Sequence, residues 1–150
     1  MSTKVVWVML RRNNRFLLAQ RAEDDVAGGT WCFPGGKIDP GDTTPIYAAH
    51  RELLEEVGVH GRQFRKLCDI TIDKYITSVW CCNKWSGDPI PSCDDIIGVG
   101  WFTLAEIHKL DETISPFLGK ALMYISYLTQ HYDHNPQDWS SKLLRFNGYG

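Results

Sequence analysis

The sequence lacks a long apolar run. Its most hydrophobic stretch near the start, Val5 to Leu10, is far shorter than the roughly twenty residues of a bilayer span, and Arg11 and Arg12 follow it instead of the small residues of a cleavage site. The expectation is a soluble, cytoplasmic chain with no membrane partner. A basic excess is missing too, since 16 Lys plus Arg stand against 18 Asp plus Glu. Non-specific contact with a phosphate backbone needs such an excess, so no nucleic acid polymer is expected as a partner. The five cysteines, Cys32, Cys68, Cys81, Cys82 and Cys93, are odd in number and contain no C-x2-C pair, which excludes a full disulfide framework and a zinc ribbon. They read as reduced, small, buried hydrophobes, with Cys81 and Cys82 on opposite faces of one strand. Internal repeats, low-complexity tracts and long charge runs are also absent, which argues against arrays and linkers.

What is there suits one globular domain over residues 1–150, with 43% hydrophobic residues to bury and residues 133–150 as a C-terminal extension, a short helical turn or a loose tail. The pattern is mixed. Val5 to Leu10 and Phe16 to Gln20 flank the turn-forming Asn13-Asn14 and predict a β-hairpin. Trp31 to Pro34 is a brief strand running into a glycine-rich loop from Gly35 to Thr44. Thr44 then offers an N-cap, Pro45 a first helical residue and Gly58 a stop, with Ala48, Ala49, Leu53, Leu54 and Val57 at helical spacing between them. Lys66 to Ile72, Ile76 to Asn83 and Gly98 to Phe102 predict three more strands. Ser115-Pro116 opens a second helix whose stripe of Phe117, Leu118, Ala121, Leu122, Ile125 and Leu128 belongs to the core.

The chemistry lies on the first helix. Glu52 stands three and four positions before Glu55 and Glu56, so three like charges crowd one side, and only Arg51, four residues before Glu55, offers compensation. A cation is expected there. Carboxylates opposite a glycine-rich loop with free backbone carbonyls suit a hard divalent ion, Mg2+ first and Mn2+ second, whereas the lack of histidine and thiolate ligands disfavours zinc.

The pattern Gly36-x5-Asp42-x8-Arg51-Glu52-Leu53-x-Glu55-Glu56-x-Gly58-Val59 resembles the box of the Nudix hydrolase family, G-x5-E-x7-R-E-U-x-E-E-x-G-U with U aliphatic. It departs twice: Asp42 replaces a glutamate, and eight residues instead of seven precede Arg51. The extra residue falls at Thr43-Thr44, before the helix, so the mutual geometry of the three glutamates is kept, while an Asp42–Arg51 pairing is left open. The resemblance implies an α/β fold, an α/β/α sandwich around a mixed sheet, and Mg2+-dependent hydrolysis of a nucleoside diphosphate derivative by in-line attack of water. The stretch Gly28 to Ile38 looks most like MutT-type enzymes, which turn a nucleoside triphosphate into monophosphate and pyrophosphate. ADP-ribose, a dinucleoside polyphosphate or a nucleotide sugar are the alternative substrates, and a non-catalytic nucleotide-binding module is the alternative of another class.

By the same resemblance the Gly35 carbonyl, Glu52, Glu55 and Glu56 are metal ligands, and Glu52 is either a ligand or the base. Arg51 and Glu55 join Glu52 in the catalytic set. Asp95, with Asp94 beside it and Trp101-Phe102 beyond, is a further base or ligand candidate. Arg21 is a candidate for the substrate phosphates, and Lys37 and Tyr75 are candidates for substrate binding. Trp80, Trp85 and Trp101 are considered for base stacking, with core or surface roles the commoner explanation. Many relatives dimerise, so a homodimer is one implied assembly, although no exposed stripe calls for it.

Overall fold

A computed structural model describes residues 2–23, 28–132 and 144–147 of the chain. Strands β1 (Thr3–Arg12) and β2 (Arg15–Arg21) form the expected hairpin, with Asn13 in the left-handed region at φ 56°. The two strands pair only at Arg11↔Phe16 and Arg12↔Arg15 and then part. Into that fork come two short strands: β3 (Trp31–Cys32) pairs with β2, and β4 (Gly35–Lys37) pairs with β1. Sequence pattern predicts Gly35-Gly36 as loop, and the structure corrects it to strand. Glycine has little intrinsic strand preference, but the exposed flank of β1 offers a ladder that Gly35–Lys37 completes, with Val6 opposite Gly36.

Beyond β4, helix α1 (Pro45–Val57) runs between the boundaries predicted for it. Thr44 Oγ1 accepts the Tyr47 N–H at 3.2 Å, Pro45 opens the first turn, and Gly58 closes the helix at φ 71°. The short pair β5 (His60–Gly61) and β8 (Trp85–Ser86) brackets the hairpin of β6 (Phe64–Ile72) and β7 (Tyr75–Cys82), and β7 lies parallel to β1 along its whole length. Strand β9 (Ile96–Thr103) pairs with β2. Helix α2 (Leu104–Leu110) follows at once behind a capping box of Thr103 and Glu106, and helix α3 (Pro116–Tyr132) starts after Ser115. Strand β10 (Leu144–Asn147) adds to β6 in parallel, so these four residues are strand rather than the helical turn or loose tail expected for the extension. The rest of 133–150 lies outside the described residues.

The mixed sheet separates two cores, which makes the fold an α/β/α sandwich in one domain. On one face Val8, Leu10 and Leu17 meet Ala49, Leu53 and Val57 of α1. On the other face Met9, Phe16 and Leu18 meet Ile107 of α2 and Leu118, Ala121, Leu122 and Ile125 of α3. This accounts for the predicted apolar stripe except Leu128, whose side chain is outside the described ones. Cys81 falls in the second core and Cys82 in the first, opposite faces as their adjacency requires. Among the described residues, no helix is long and apolar enough to cross a membrane.

Candidate active site

The fork between β1 and β2 opens into a cavity of about 800 Å3. Its size falls within the range of small-molecule sites. Around it stand Gly35, Gly36, Glu52, Glu55 and Glu56, and also Arg21, Lys37, Tyr75 and Asp95, so eight of the nine proposed site residues line one space. Arg51 is the ninth and stands behind the carboxylates. Asp94 and Asp42 do not line the cavity.

Gly35 pairs with Trp7, while Val6 pairs with Gly36 and Val8 takes the Pro34 carbonyl. In an antiparallel ladder this alternation turns the N–H and carbonyl of Gly35 away from β1. Its N–H donates to Glu56 Oε1 at 2.9 Å. The two glycines are dictated by room: a Cβ on Gly35 would stand 2.0 Å from the Val6 carbonyl oxygen, and one on Gly36 would stand 2.7 Å from Glu52 Oε1. The second contact shows that the Glu52 carboxylate lies directly against the β4 backbone.

The three glutamates have different surroundings. Glu56 is buried at 7% exposure, and burial pushes its carboxyl up to about 8, with Glu52 and Glu55 adding to the rise while the Gly35 N–H and Arg21 oppose it. Glu52 is also buried and shifted upward, again by burial first. Glu55 faces solvent, its side chain 55% exposed.

Arg51 ties this group together. Its Nε and Nη2 reach the two Asp42 oxygens at 2.9 Å each, a bidentate pair. Its Nη1 donates to Glu52 Oε1 at 3.1 Å and Glu55 Oε2 at 3.2 Å, and Nη2 also meets the Lys37 carbonyl and Asp39, each at 3.3 Å. The Asp42–Arg51 pairing left open by the sequence is therefore made, and Arg51 hydrogen bonds hold the Asp42 carboxyl below its usual range. The shorter Asp suffices because Asp42 also accepts the Asp39 N–H at 2.7 Å, which draws the loop in.

Among the described residues, no three His, Cys, Asp or Glu side chains are gathered as a ready-made metal cluster. Glu56 is drawn to Gly35, and Glu52 and Glu55 are drawn to Arg51. The donor set nonetheless fits a hard divalent ion: every side-chain donor is a carboxylate oxygen, the Gly35 carbonyl is turned off the ladder, and a cationic group already bridges two of the acids.

Aromatic groups line the remainder, Tyr75 among them, but not the tryptophans considered for stacking. Trp85 and Trp101 stack on each other at 5.7 Å under the Arg12 guanidinium, and with Trp80 they pack against the α1-side core. The cavity is instead walled by Trp7 and Phe33, ring centroids 5.9 Å apart, and by Tyr75 and Phe117, edge to face at 5.1 Å. Strand parity carries Trp7 to this side, a signal present in the alternation of Val6, Trp7, Val8 and Met9. Tyr75 is opposite Thr3 and Gly35 opposite Trp7, so the aromatic pair and the glutamate end stand four residues apart along β1, roughly 13 Å. Cys32, Thr77 and Ser115 complete the wall between them. The structure places all of the cysteines except Cys93 in buried positions.

Comparison with known proteins places this geometry. A model of the NUDIX domain matches residues 1–123. The 8-oxo-dGTP diphosphatase of Escherichia coli (strain K12) is 39% identical over 88 residues, covering 56% of this chain and 67% of that protein. A CTP pyrophosphohydrolase of the same organism is 35% identical over 75 residues, half of this chain and 48% of the relative. Among solved structures, a MutT NUDIX hydrolase from Burkholderia pseudomallei superposes with a TM-score of 0.71 at 26% identity, covering 82% of this chain and 97% of that one. The MutT protein of Methanosarcina mazei Go1, at 21% identity and TM-score 0.75 over 86% of this chain and 96% of that one, shares the fold.

Proposed function

Because the chain belongs to the NUDIX family, and is thus a pyrophosphohydrolase of nucleotide derivatives, we propose that its substrate is a nucleoside triphosphate, cleaved to monophosphate and pyrophosphate. The observation that carries this reading is a cavity with two unlike ends: buried and exposed carboxylates around Gly35-Gly36, and the Tyr75–Phe117 pair roughly 13 Å away. Phosphates belong at the first end and a base at the second. Of the two aromatic pairs on the wall, Trp7 and Phe33 are buried beside Gly35, at 6% and 3% exposure, which leaves Tyr75 and Phe117 as the more open pair and favours a mononucleotide over a dinucleoside polyphosphate, which carries two bases. The three box glutamates, all reaching the cavity, favour an enzyme over a binding module.

Glu52, Glu55, Glu56 and the Gly35 carbonyl would hold Mg2+, with Mn2+ as a substitute. A divalent ion there supplies charge neutralisation at the phosphates and makes a bound water more acidic. The protein's own residues do the positioning. Arg51, anchored by Asp42 and Asp39, keeps Glu52 and Glu55 within reach of each other despite their repulsion. Glu52 lies against β4, where it can take a proton from the attacking water or serve as ligand. Asp95, exposed at the rim, is the second candidate for that proton. Arg21 and Lys37 provide positive charge toward the phosphates, and Tyr75 offers its ring to the base.

The test is a panel of nucleoside triphosphates, ADP-ribose, a dinucleoside polyphosphate and a nucleotide sugar, incubated with the chain and Mg2+, with products resolved by chromatography. Pyrophosphate and monophosphate from a triphosphate are expected. Turnover confined to ADP-ribose or a nucleotide sugar would replace the substrate assignment, and binding without turnover of any member would overturn the hydrolase.

A further inference from the structure

The floor of the cavity is laid in rows. Strand β1 pairs with β4 on one side and with β7 on the other, and residues opposite each other in a sheet present their side chains to the same face. The first row, Gly35 and Trp7, lies at the glutamate end. Two residues back along β1 comes Val5, with Lys37 opposite it on β4 and Thr77 opposite it on β7. Two residues further back Thr3 stands opposite Tyr75, where the aromatic end begins. Trp7, Val5, Lys37, Thr77 and Tyr75 all line the cavity. The middle row is therefore roughly 7 Å from either end.

Phosphate hydrolysis uses the first row and stacking of a base uses the last, but neither uses Thr77. Its side chain belongs to a residue only 3% exposed, and among the described residues nothing is hydrogen-bonded to its hydroxyl. Ser115, the other buried hydroxyl on the wall, is already engaged, since its Oγ accepts the Phe117 N–H at 3.2 Å. Lys37 is exposed at the rim and carries only donors. A buried hydroxyl costs little while water can reach it. A ligand that expels the water must replace its bond or leave the group unsatisfied.

Resting on the nucleotide-hydrolase reading above, we propose that Thr77 is a specificity-determining residue that hydrogen-bonds a hydroxyl of the substrate's sugar. In any nucleotide the sugar lies between the phosphates and the base, as the middle row lies between the carboxylates and the aromatic pair. The threonine and sugar hydroxyls each donate and accept, so the bond forms whichever of them gives the proton. What is read is thus the presence of the hydroxyl, and a sugar that lacks it leaves Thr77 buried against carbon.

The sugar carries that hydroxyl on its 2′ or its 3′ carbon, and two trios separate them: ATP with its 2′-deoxy and 3′-deoxy analogues, and GTP with the same two. With the full chain and Mg2+, the analogue that lacks the contacted hydroxyl is expected to lose about tenfold in kcat/KM, mostly through KM. The loss should fall on the same analogue in both trios, and that analogue identifies the hydroxyl. Thr77→Val keeps the branched shape that suits a strand but removes the oxygen, and should bring the ratio to within about twofold. Thr77→Ser, which keeps the hydroxyl, should preserve it. A packing role alone would lower the melting temperature, or raise KM for every member alike, without moving the ratio. A native chain that treats all members of each trio alike would overturn the proposal, as would a ratio unchanged in Thr77→Val. Should Thr77→Val not fold, the same ratio in Thr77→Ala decides it. Absence of turnover for all six nucleotides would instead sink the hydrolase reading, and the same trios compared by equilibrium binding would then decide the sugar contact.

Discussion

At the scale of single residues, the three glutamates were legible as a group and illegible as individuals. Spacing puts Glu52, Glu55 and Glu56 on one side of a helix, but only burial separates them, because which acid faces β4 and which faces water depends on how the helix lies on the sheet. Glu56 shows the consequence. Its carboxyl, pushed up to about 8 in the fold against 4.5 for a free side chain, binds more protons folded than unfolded between those values. Without metal, its protonated form therefore stabilises the fold at low pH, and that stability is lost as pH rises from about 4.5 through about 8. Denaturant midpoints measured in chelator should fall across that window, and Glu56→Gln should flatten the slope while leaving an oxygen for the Gly35 N–H. A midpoint that rises with pH in the native chain would show that Glu56 is not buried in this way. Glu55 predicts the opposite balance. Its side chain is half exposed and its pairing with Arg51 is a surface contact, so Glu55→Gln should leave the melting temperature nearly unchanged. Turnover at saturating Mg2+ should nonetheless fall about a hundredfold or more, since a metal ligand has lost its charge. Equal turnover would remove Glu55 from the site.

At the scale of elements, local signals served where structure is local. Thr44, Pro45 and Gly58 delimit α1 by capping alone, and Asn13-Asn14 turns the first hairpin. Helix α2 is not among the elements the sequence pattern predicts, although the Thr103–Glu106 capping box that begins it is local. Strand β4 was not legible, because its pairing is made with β1 some thirty residues earlier and its glycines carry no preference of their own. Those glycines are there for the space above them, which gives a graded prediction. In Gly35→Ala the new Cβ would meet the Val6 carbonyl oxygen at 2.0 Å, backbone against backbone, and the fold should be destabilised outright. In Gly36→Ala it meets the Glu52 carboxylate at 2.7 Å, the far end of a side chain that can move. Gly36→Ala should therefore fold with a melting temperature near the native one yet lose at least tenfold in kcat, as Glu52 is pushed from its place. If both variants lost stability equally, β4 would be holding the strand ladder and not the carboxylate.

At the scale of the molecule, the sandwich was foreseeable through the resemblance carried by the box from Gly36 to Val59, but the cavity was not, since it arises where β1 and β2 part and is walled by residues from both helical layers. Its glutamates come from α1, packed on the core of Val8, Leu10 and Leu53. Ser115 and Phe117 come from the start of α3, packed on the core of Met9, Phe16 and Ile125. The two ends of the site thus rest on different cores across one sheet, and a cavity cut into either core should weaken the end above it. Leu53→Ala and Ile125→Ala each remove a fully buried side chain and should cost about 2–5 kcal/mol. A domain with the usual stability of about 5–15 kcal/mol survives most of that range. Leu53→Ala should weaken Mn2+ binding, read by paramagnetic titration, with little change in KM at saturating metal. Ile125→Ala should raise KM for the nucleotide and leave Mn2+ binding as it was. If both variants lost metal affinity and nucleotide affinity in the same proportion, the sheet would be coupling the two layers rigidly, and the site would respond as one body to strain from either side.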